Sequence, residues 1–518
     1  MKKYIIYSLI VVTVSAFLLQ GCKKSDFDDN YNNPEKTVNA NVEGLFAGIF
    51  DNARVLPRYW NLYTFHIPVL GTYSQTVGYS NGTKIYEQPI NYTQDRWNDY
   101  YSGTIARYRE LEKKYNSYED GSAEKTGYRL FLETAKIFVY DQTAQLVDMW
   151  GDVPFTTAGQ LNATGGSIIL ASYDSDKEVY TAILSDLKQI ADYLATLSVD
   201  PFYTNQLAKS DYVNDGSILK WRKYCNSLRL RLAMRTSYSD EAGAKTIVQE
   251  ILGNSTQYPV IDNIDETIQI VAEGSLVTGD MESGFGVNSL APGYLVEDIM
   301  NPSNDPRLPV FFSANKNGEY HGVINTWSSA RQTDSTTAGY YSRYDSVTFV
   351  KNRNFPGIIL TASEVSFIKA EAFERWGGGD AKAAYEQGIT QSINFYYYLN
   401  QLNVSWGTHD TPPAASAITT FLSNPLIAYG ADTEENLEKI GTQKWVDFGI
   451  MQANQAWAEY RRTRIPALNF PTDASSTLSP NPPTRLLYPS TERILNTGNY
   501  DAVSAKDNVT TKVFWDVK

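Results

Sequence analysis

The stretch that most constrains this chain runs from Lys444 to Tyr488. Val446, Ile450, Ala453, Trp457 and Tyr460 fall four, three, four and three residues apart. That spacing predicts one amphipathic helix over 444–460, with five apolar side chains on a single stripe that has to be buried against another element. Arg461, Arg462 and Arg464 follow at its C-terminal end, where unpaired carbonyls favour positive charge, and Pro466 stops it. A polar Ser/Thr/Pro stretch then leads to Arg485-Leu486-Leu487-Tyr488-Pro489. A chain closing on such a helix needs helical partners.

Other periodic segments supply them. Helices are predicted near 38–53, 95–115, 124–150, 176–197 and 217–235, the fourth carrying Ile183, Leu187, Ile190, Leu194 and Leu197 at steps of four, three, four and three. The basic side of the fifth (Arg222, Lys223, Arg229, Arg231, Arg235) reads as a solvated or acid-paired face. Residues 57–92 read as a loop-rich stretch, with Tyr59, Trp60, Tyr63, Tyr73, Gln75, Tyr79, Asn81 and Tyr86. Residues from about 253 to 360 are rich in Gly, Ser, Asn and Pro, with turn signals at Asn301-Pro302, Asp305-Pro306 and Asn317-Gly318, so loops and a few short strands are expected. From Thr361, Ala370 and Phe373, the Gly377-Gly378-Gly379 break, then Ala381, Ala384, Tyr385 and Gly388 have the small-and-bulky alternation of a tetratricopeptide helix pair.

The N-terminus reads as a targeting segment. Lys2 and Lys3 precede an apolar run from Ile5 to Leu19, and Leu19-Gln20-Gly21-Cys22 is similar to a bacterial lipobox. Residues 1–21 are then a signal peptide, Cys22 the lipidated mature N-terminus, 22–36 a polar tether and 37–518 a single domain. Two acyl chains at Cys22 suffice for stable membrane anchoring. Cys225, the only other cysteine, shares a helical stripe with Trp221, Leu228 and Leu232, so a buried, inert thiol is expected.

Composition narrows the function. A net charge of −13 argues against general nucleic-acid binding, which rests on neutralising phosphates. No Gly-x-Ser-x-Gly elbow, phosphate loop or His-Glu-x-x-His string occurs, and His66, His321 and His409 lack metal-ligand spacing. No catalytic residue, metal ligand or cofactor is therefore assigned. A structural calcium ion would need only carboxylates and carbonyls, and the sequence locates no site for one. What the chain has in abundance is aromatic residues, with 37 Tyr and 10 Trp. Flat rings in loops offer apolar faces at low entropic cost, suited to the C–H faces of sugars.

Four strings together carry a resemblance. They are Asp148-Met149-Trp150-Gly151-Asp152-Val153-Pro154-Phe155, Trp221 to Ala233, Asn304-Asp305-Pro306-Arg307-Leu308-Pro309, and Ala456-Trp457-Ala458-Glu459-Tyr460-Arg461-Arg462-Thr463 followed by Arg485–Pro489, Glu492 and Asn496. This set resembles the SusD/RagB family of nutrient-binding outer-membrane lipoproteins, in its second, SusD-like branch. The resemblance implies a mainly α fold, a right-handed scaffold of four tetratricopeptide-like helix pairs with loop-rich insertions on one side. The acidic tract Asp26-Phe27-Asp28-Asp29 after Cys22 is similar to the tract that sends such lipoproteins to the cell exterior. The implied function is capture of oligosaccharides and delivery to a SusC-like TonB-dependent transporter, with peptide capture or glycan processing as alternatives. The signature strings themselves read as packing and turn elements. Ligand contact is expected from the loop after the first helix (Tyr73, Gln75, Tyr79, Asn81, Tyr86) and from the mid-chain insertion (Tyr320, Trp327, Tyr340, Tyr341).

Overall fold

The computed structural model describes residues 40–272, 277 and 279–518. The signal segment, Cys22 and the whole tether lie outside the described residues. Four pairs of neighbouring helices dominate the unit Val42–Lys518: Ala106–Asn116 with Ala123–Trp150, Asp176–Ala195 with Ile218–Arg235, Ala362–Trp376 with Ala381–Gln401, and Thr433–Phe448 with Ala453–Thr463. This is the expected mainly helical scaffold. Six of these eight helices have a local reason to start where they do. Ser122, Ser175, Ser217, Thr361, Asp380 and Asp432 are N-caps whose side-chain oxygens accept a backbone N–H of the first turn. In the third pair the helices approach so closely at Gly388 that a Cβ there would lie 2.8 Å from the ring of Phe367.

The stripe from Val446 to Tyr460 is buried as its spacing requires, with Val446, Ile450, Ala453 and Trp457 inaccessible and Tyr460 half-buried. It does not lie on one helix. The chain breaks at Gly449, whose φ of 48° and ψ of −155° end the helix Thr433–Phe448, and the last helix of the four pairs begins at Ala453. Two of the arginines at its C-terminal end lie in the core, as the signature's reading as packing residues implies. Arg461 and Arg462 are buried, the first over the Trp457 ring at 3.7 Å and the second on two carboxylates.

Residues 57–92 are half loop and half helix. A short helix, Tyr59–Asn61, runs directly into a wide-turned helix, Leu62–Gly71. Its buried residues occupy nearly every position, so no 3.6-residue stripe marks it in the sequence. The helix predicted over 95–115 starts earlier, at Ile90, and passes through a wide turn, Tyr100–Ile105, before Ala106–Asn116. Helices Pro201–Ser210, Glu241–Leu252 and Ala415–Leu422 had no counterpart in the periodicity reading.

The mid-chain insertion is built as expected, from loops, short helices and short strands. Strand β1 (Ile268–Ile270) pairs antiparallel with β4 (Gly357–Leu360), and β2 (Phe312–Ser313) with β3 (Arg343–Tyr344). Two hydrophobic clusters hold these parts together. One gathers the first two helix pairs with Trp457, Leu486, Tyr488 and Trp515; the other gathers the insertion with the last two pairs.

The signature strings are the joints between distant segments. Leu486 N–H donates to Met149 O at 2.7 Å, the Trp150 indole N–H to Leu487 O at 2.9 Å, and the Tyr488 hydroxyl to Asp152 O at 2.7 Å. Asp305 and Arg307, both inaccessible, pair at 2.6 Å, and Arg307 reaches Gln443 on the helix Thr433–Phe448. The basic face of Ile218–Arg235 is largely acid-paired. Arg231 takes Asp141 and Glu364, and Arg235 takes Glu459. Cys225 is buried with its thiol directed at Leu187 O, and burial pushes its pKa up to about 12.

Candidate ligand-binding surface

The loop after the wide-turned helix and the mid-chain insertion meet, and a third segment, 469–475, joins them. The Asn325 side-chain amide donates to the Tyr79 hydroxyl at 3.0 Å and to Asn469 O at 3.1 Å. Gln75 donates to the same Asn469 carbonyl at 2.7 Å. Asn81 N–H donates to Gln332 Oε1 at 2.6 Å, and the Asn81 side chain donates to Trp327 O at 3.3 Å. Gln332, itself buried, returns to Ile324 O at 2.9 Å. The two loop groups therefore form one lattice of side-chain amides on backbone carbonyls.

Within that lattice the nine candidates separate into two layers. Tyr73, Gln75 and Tyr86 lie beneath the surface. Tyr73 donates to Tyr86 O, and the Tyr86 hydroxyl donates to Pro471 O at 2.7 Å. Tyr341 is 6% exposed with its ring edge-on to Tyr340. These four offer a ligand little surface: Tyr73, Gln75 and Tyr86 are taken up by packing and internal hydrogen bonds, and Tyr341 by packing alone. Tyr79 is 8% exposed, and burial pushes its phenol up to about 12, so it stays protonated at neutral pH.

The upper layer keeps accessible surface. Trp327, Asn81, Tyr320 and Tyr340 are half-buried. Exposed Arg331 places its guanidinium 3.2 Å from the centre of the Trp327 ring, one helical turn along Ser329–Thr337. Tyr340 stacks on His321 at 4.1 Å with an 11° interplanar angle, and His321 faces Glu297 at 3.1 Å. Burial, with Glu297 and Glu319 nearby, raises the Tyr340 phenol above its ordinary pKa.

Sequence reasoning missed Asn325, Gln332 and Asn469, which fix the loops to one another, and Arg331, which lies against the tryptophan. It also left aside two more exposed rings: Trp60, 64% exposed and tilted against Tyr59 at 5.0 Å, and Trp406, 51% exposed with Lys351 nearby. Among the described residues, no group of three His, Cys, Asp or Glu is placed to hold a metal ion. The arrangement offers aromatic faces, amides and a guanidinium, the groups that hold polyhydroxylated or polar ligands without covalent chemistry.

Comparison with known proteins bears on the fold and the family. No curated protein matches the chain. Among solved structures, the chain is similar to a chitin-binding protein, with 22% identity, a TM-score of 0.74, and 92% of this chain and 100% of that one covered. It is similar to a chitin-binding SusD homologue from Flavobacterium johnsoniae, with 23% identity, a TM-score of 0.71, and 92% and 99% covered. It is also similar to a SusD homologue from Bacteroides thetaiotaomicron, with 22% identity, a TM-score of 0.66, and 93% and 100% covered. Residues 58–489 match the SusD-like family described as "Starch-binding associating with outer membrane", and the chain belongs to that family.

Proposed function

We propose that this protein is a non-catalytic lipoprotein of the outer-membrane exterior that captures oligosaccharides and passes them to a SusC-like TonB-dependent transporter. The observation that carries the reading is the union of the two loop groups, which sets Trp327, Arg331 and Asn81 side by side on one accessible surface. A sugar ring stacks its C–H face on an aromatic plane while amides and guanidinium take the hydroxyls. Two of the structural neighbours are named as chitin-binding, and the family description is starch binding with outer-membrane association, which supports a glycan as the ligand class. Among the described residues no helix is long and apolar enough to cross a membrane, so association through an acyl group on Cys22 fits the chain.

Delivery beside a transporter does not need tight binding. A millimolar site corresponds to only about −4 kcal/mol. Tethering next to a pore raises the effective concentration, and weak binding allows fast release.

The test is calorimetry of the purified protein against chito-oligosaccharides, malto-oligosaccharides, a broader glycan panel and a peptide pool. Saturable heat with one glycan class supports the reading. Binding to peptides alone would overturn the substrate class, and turnover of a glycan would overturn the non-catalytic assignment.

A further inference from the structure

A second polar site lies inside the scaffold, away from the loops just described. A chamber of about 40 Å³ is enclosed by the wide-turned helix, the helices Ile90–Asp99 and Ala123–Trp150, strand β4 and the turn before the last helix. Its polar wall includes Arg54, His66, Arg96, Gln142, Gln145 and Asn454, the rest of it is neutral amides, and no acidic side chain lines it among the described residues. A water needs about 10–15 Å³ of such space, so the chamber has room for a small ion with a water or two.

The charge balance of that wall is incomplete. Arg54 is neutralised by its ion pair with Asp99. His66 is buried, its Nε2 lies 2.6 Å from Ile450 O, and burial lowers its pKa to about 4, so it is neutral at physiological pH. Arg96 is 6% exposed and makes no hydrogen bond or ion pair with any described residue. Burial first, and then the neighbouring Arg54, lower its pKa to about 9 against a partial rise from Asp99, the carboxylate already paired with Arg54, and this still leaves it cationic. Independently, Gln142 is 2% exposed, lines the same chamber, and has neither its amide nitrogen nor its amide oxygen partnered. A buried cation and a buried amide left without partners are each costly, and the two costs fall in one place. Gln145 and Asn454 are the partly accessible side chains on the chamber's polar side.

We propose that this chamber is an anion site, taking one small monovalent anion (a halide or a carboxylate) on the Arg96 guanidinium with the Gln142 amide beside it. One uncompensated positive charge sets the valence, and the volume sets the size. The inference does not depend on the carbohydrate reading and survives its failure.

The experiment follows the melting temperature of the purified protein at constant ionic strength, with a bulky sulfonate replaced stepwise by sodium bromide or by sodium formate. A saturable rise is expected in wild type, with apparent affinity at least tenfold weaker in Arg96→Met and reduced in Gln142→Leu. Bromide-soaked wild-type crystals should show an anomalous peak at hydrogen-bonding distance from Arg96, which keeps the proposal testable if Arg96→Met fails to fold. Tighter binding of formate than bromide would identify a ligand carboxylate as the occupant, and the reverse a free halide. A linear salt response with no anomalous peak, or a chamber filled only by water, would overturn the proposal.

Discussion

Arg462 grips Glu371 with both arms of its guanidinium, at 2.8 and 2.6 Å, although ninety-one residues separate them in the chain. The pair ties the last helix to the third helix pair. Arg462 also bonds Glu459, which in turn receives Lys444 at 3.1 Å and Arg235 at 3.1 Å. Burial opposes ionisation of Glu459, but Arg462, Lys444 and Arg235 outweigh it and hold the carboxyl far below the usual range.

Removing one partner of such a pair leaves a buried charge uncompensated. Glu371→Leu is therefore expected to cost about 3–5 kcal/mol in urea unfolding, and adding Arg462→Met should recover part of that loss. Lys382→Ala, which breaks an exposed pair with Glu386, should change stability by no more than about 0.5 kcal/mol. Equal effects from the two single changes would mean that the buried network does not hold the helix pairs together.

The particulars of this network show how far the sequence was legible. The buried stripe from Val446 to Trp457 was readable, because period and burial survive a break in the chain. The break was not, since Gly449 in a periodic run is equally compatible with an unbroken helix. The arginines after Tyr460 had the pattern of charge capping a helix end, and only tertiary structure brings Glu371 within reach. The loop groups stood out in the sequence by their aromatic residues, and the fold brings them together. Which rings lie above and which below could not be read, because Tyr73 and Trp327 are alike in sequence context and differ in what folds over them.

Two buried groups beside the 447–452 turn should titrate in opposite senses. Burial lowers His66 from 6.5 to about 4, so its contribution to stability is present above pH 6.5 and is lost as pH falls through about 4. Burial raises Asp447 from 3.8 to about 6, so its contribution is present below pH 3.8 and is lost as pH rises through about 6. Each shift corresponds to roughly 3 kcal/mol, and between pH 4 and 6 the two largely cancel. Asp447→Asn should expose the His66 slope, with stability rising with pH from 4 to 6.5. His66→Asn should expose the opposite slope. Parallel profiles for both variants would refute the assignment.

Tyr341 separates packing from binding. Its hydroxyl is buried with no partner among the described residues, so Tyr341→Phe removes no hydrogen bond and should leave stability within about 0.5 kcal/mol or raise it. Tyr341→Ala leaves a cavity and should cost about 3–5 kcal/mol, in the range for loss of a buried aromatic. If Tyr341→Ala melts like wild type while glycan binding falls, the ring belongs to the ligand surface after all.

Anchoring is tested at Cys22, which lies outside the described residues. Palmitate labelling should mark the wild-type protein and not Cys22→Ala, and the variant should leave the outer membrane or remain on an uncleaved signal segment. An unlabelled, soluble wild-type protein would remove the lipoprotein assignment.

The ligand surface is tested at Trp327. Its ring is half-exposed, stands over no core cluster, and carries Arg331 at 3.2 Å, while its backbone carbonyl alone accepts the Asn81 amide. Trp327→Ala therefore leaves the loop lattice its hydrogen bonds and should shift the melting temperature little. An aromatic contact contributes roughly 0.5–1.5 kcal/mol beyond the area it buries, and that area adds about 25 cal/mol per Å². Together these terms predict at least a tenfold loss of glycan affinity in Trp327→Ala by calorimetry. Arg331→Ala should weaken binding less, because it removes hydroxyl contacts and leaves the ring. Asn81→Ala should act differently again, loosening the join between the loops and lowering both affinity and melting temperature. Glycan affinity that survives Trp327→Ala unchanged would move the site elsewhere, with exposed Trp60 and Trp406 the next rings to replace.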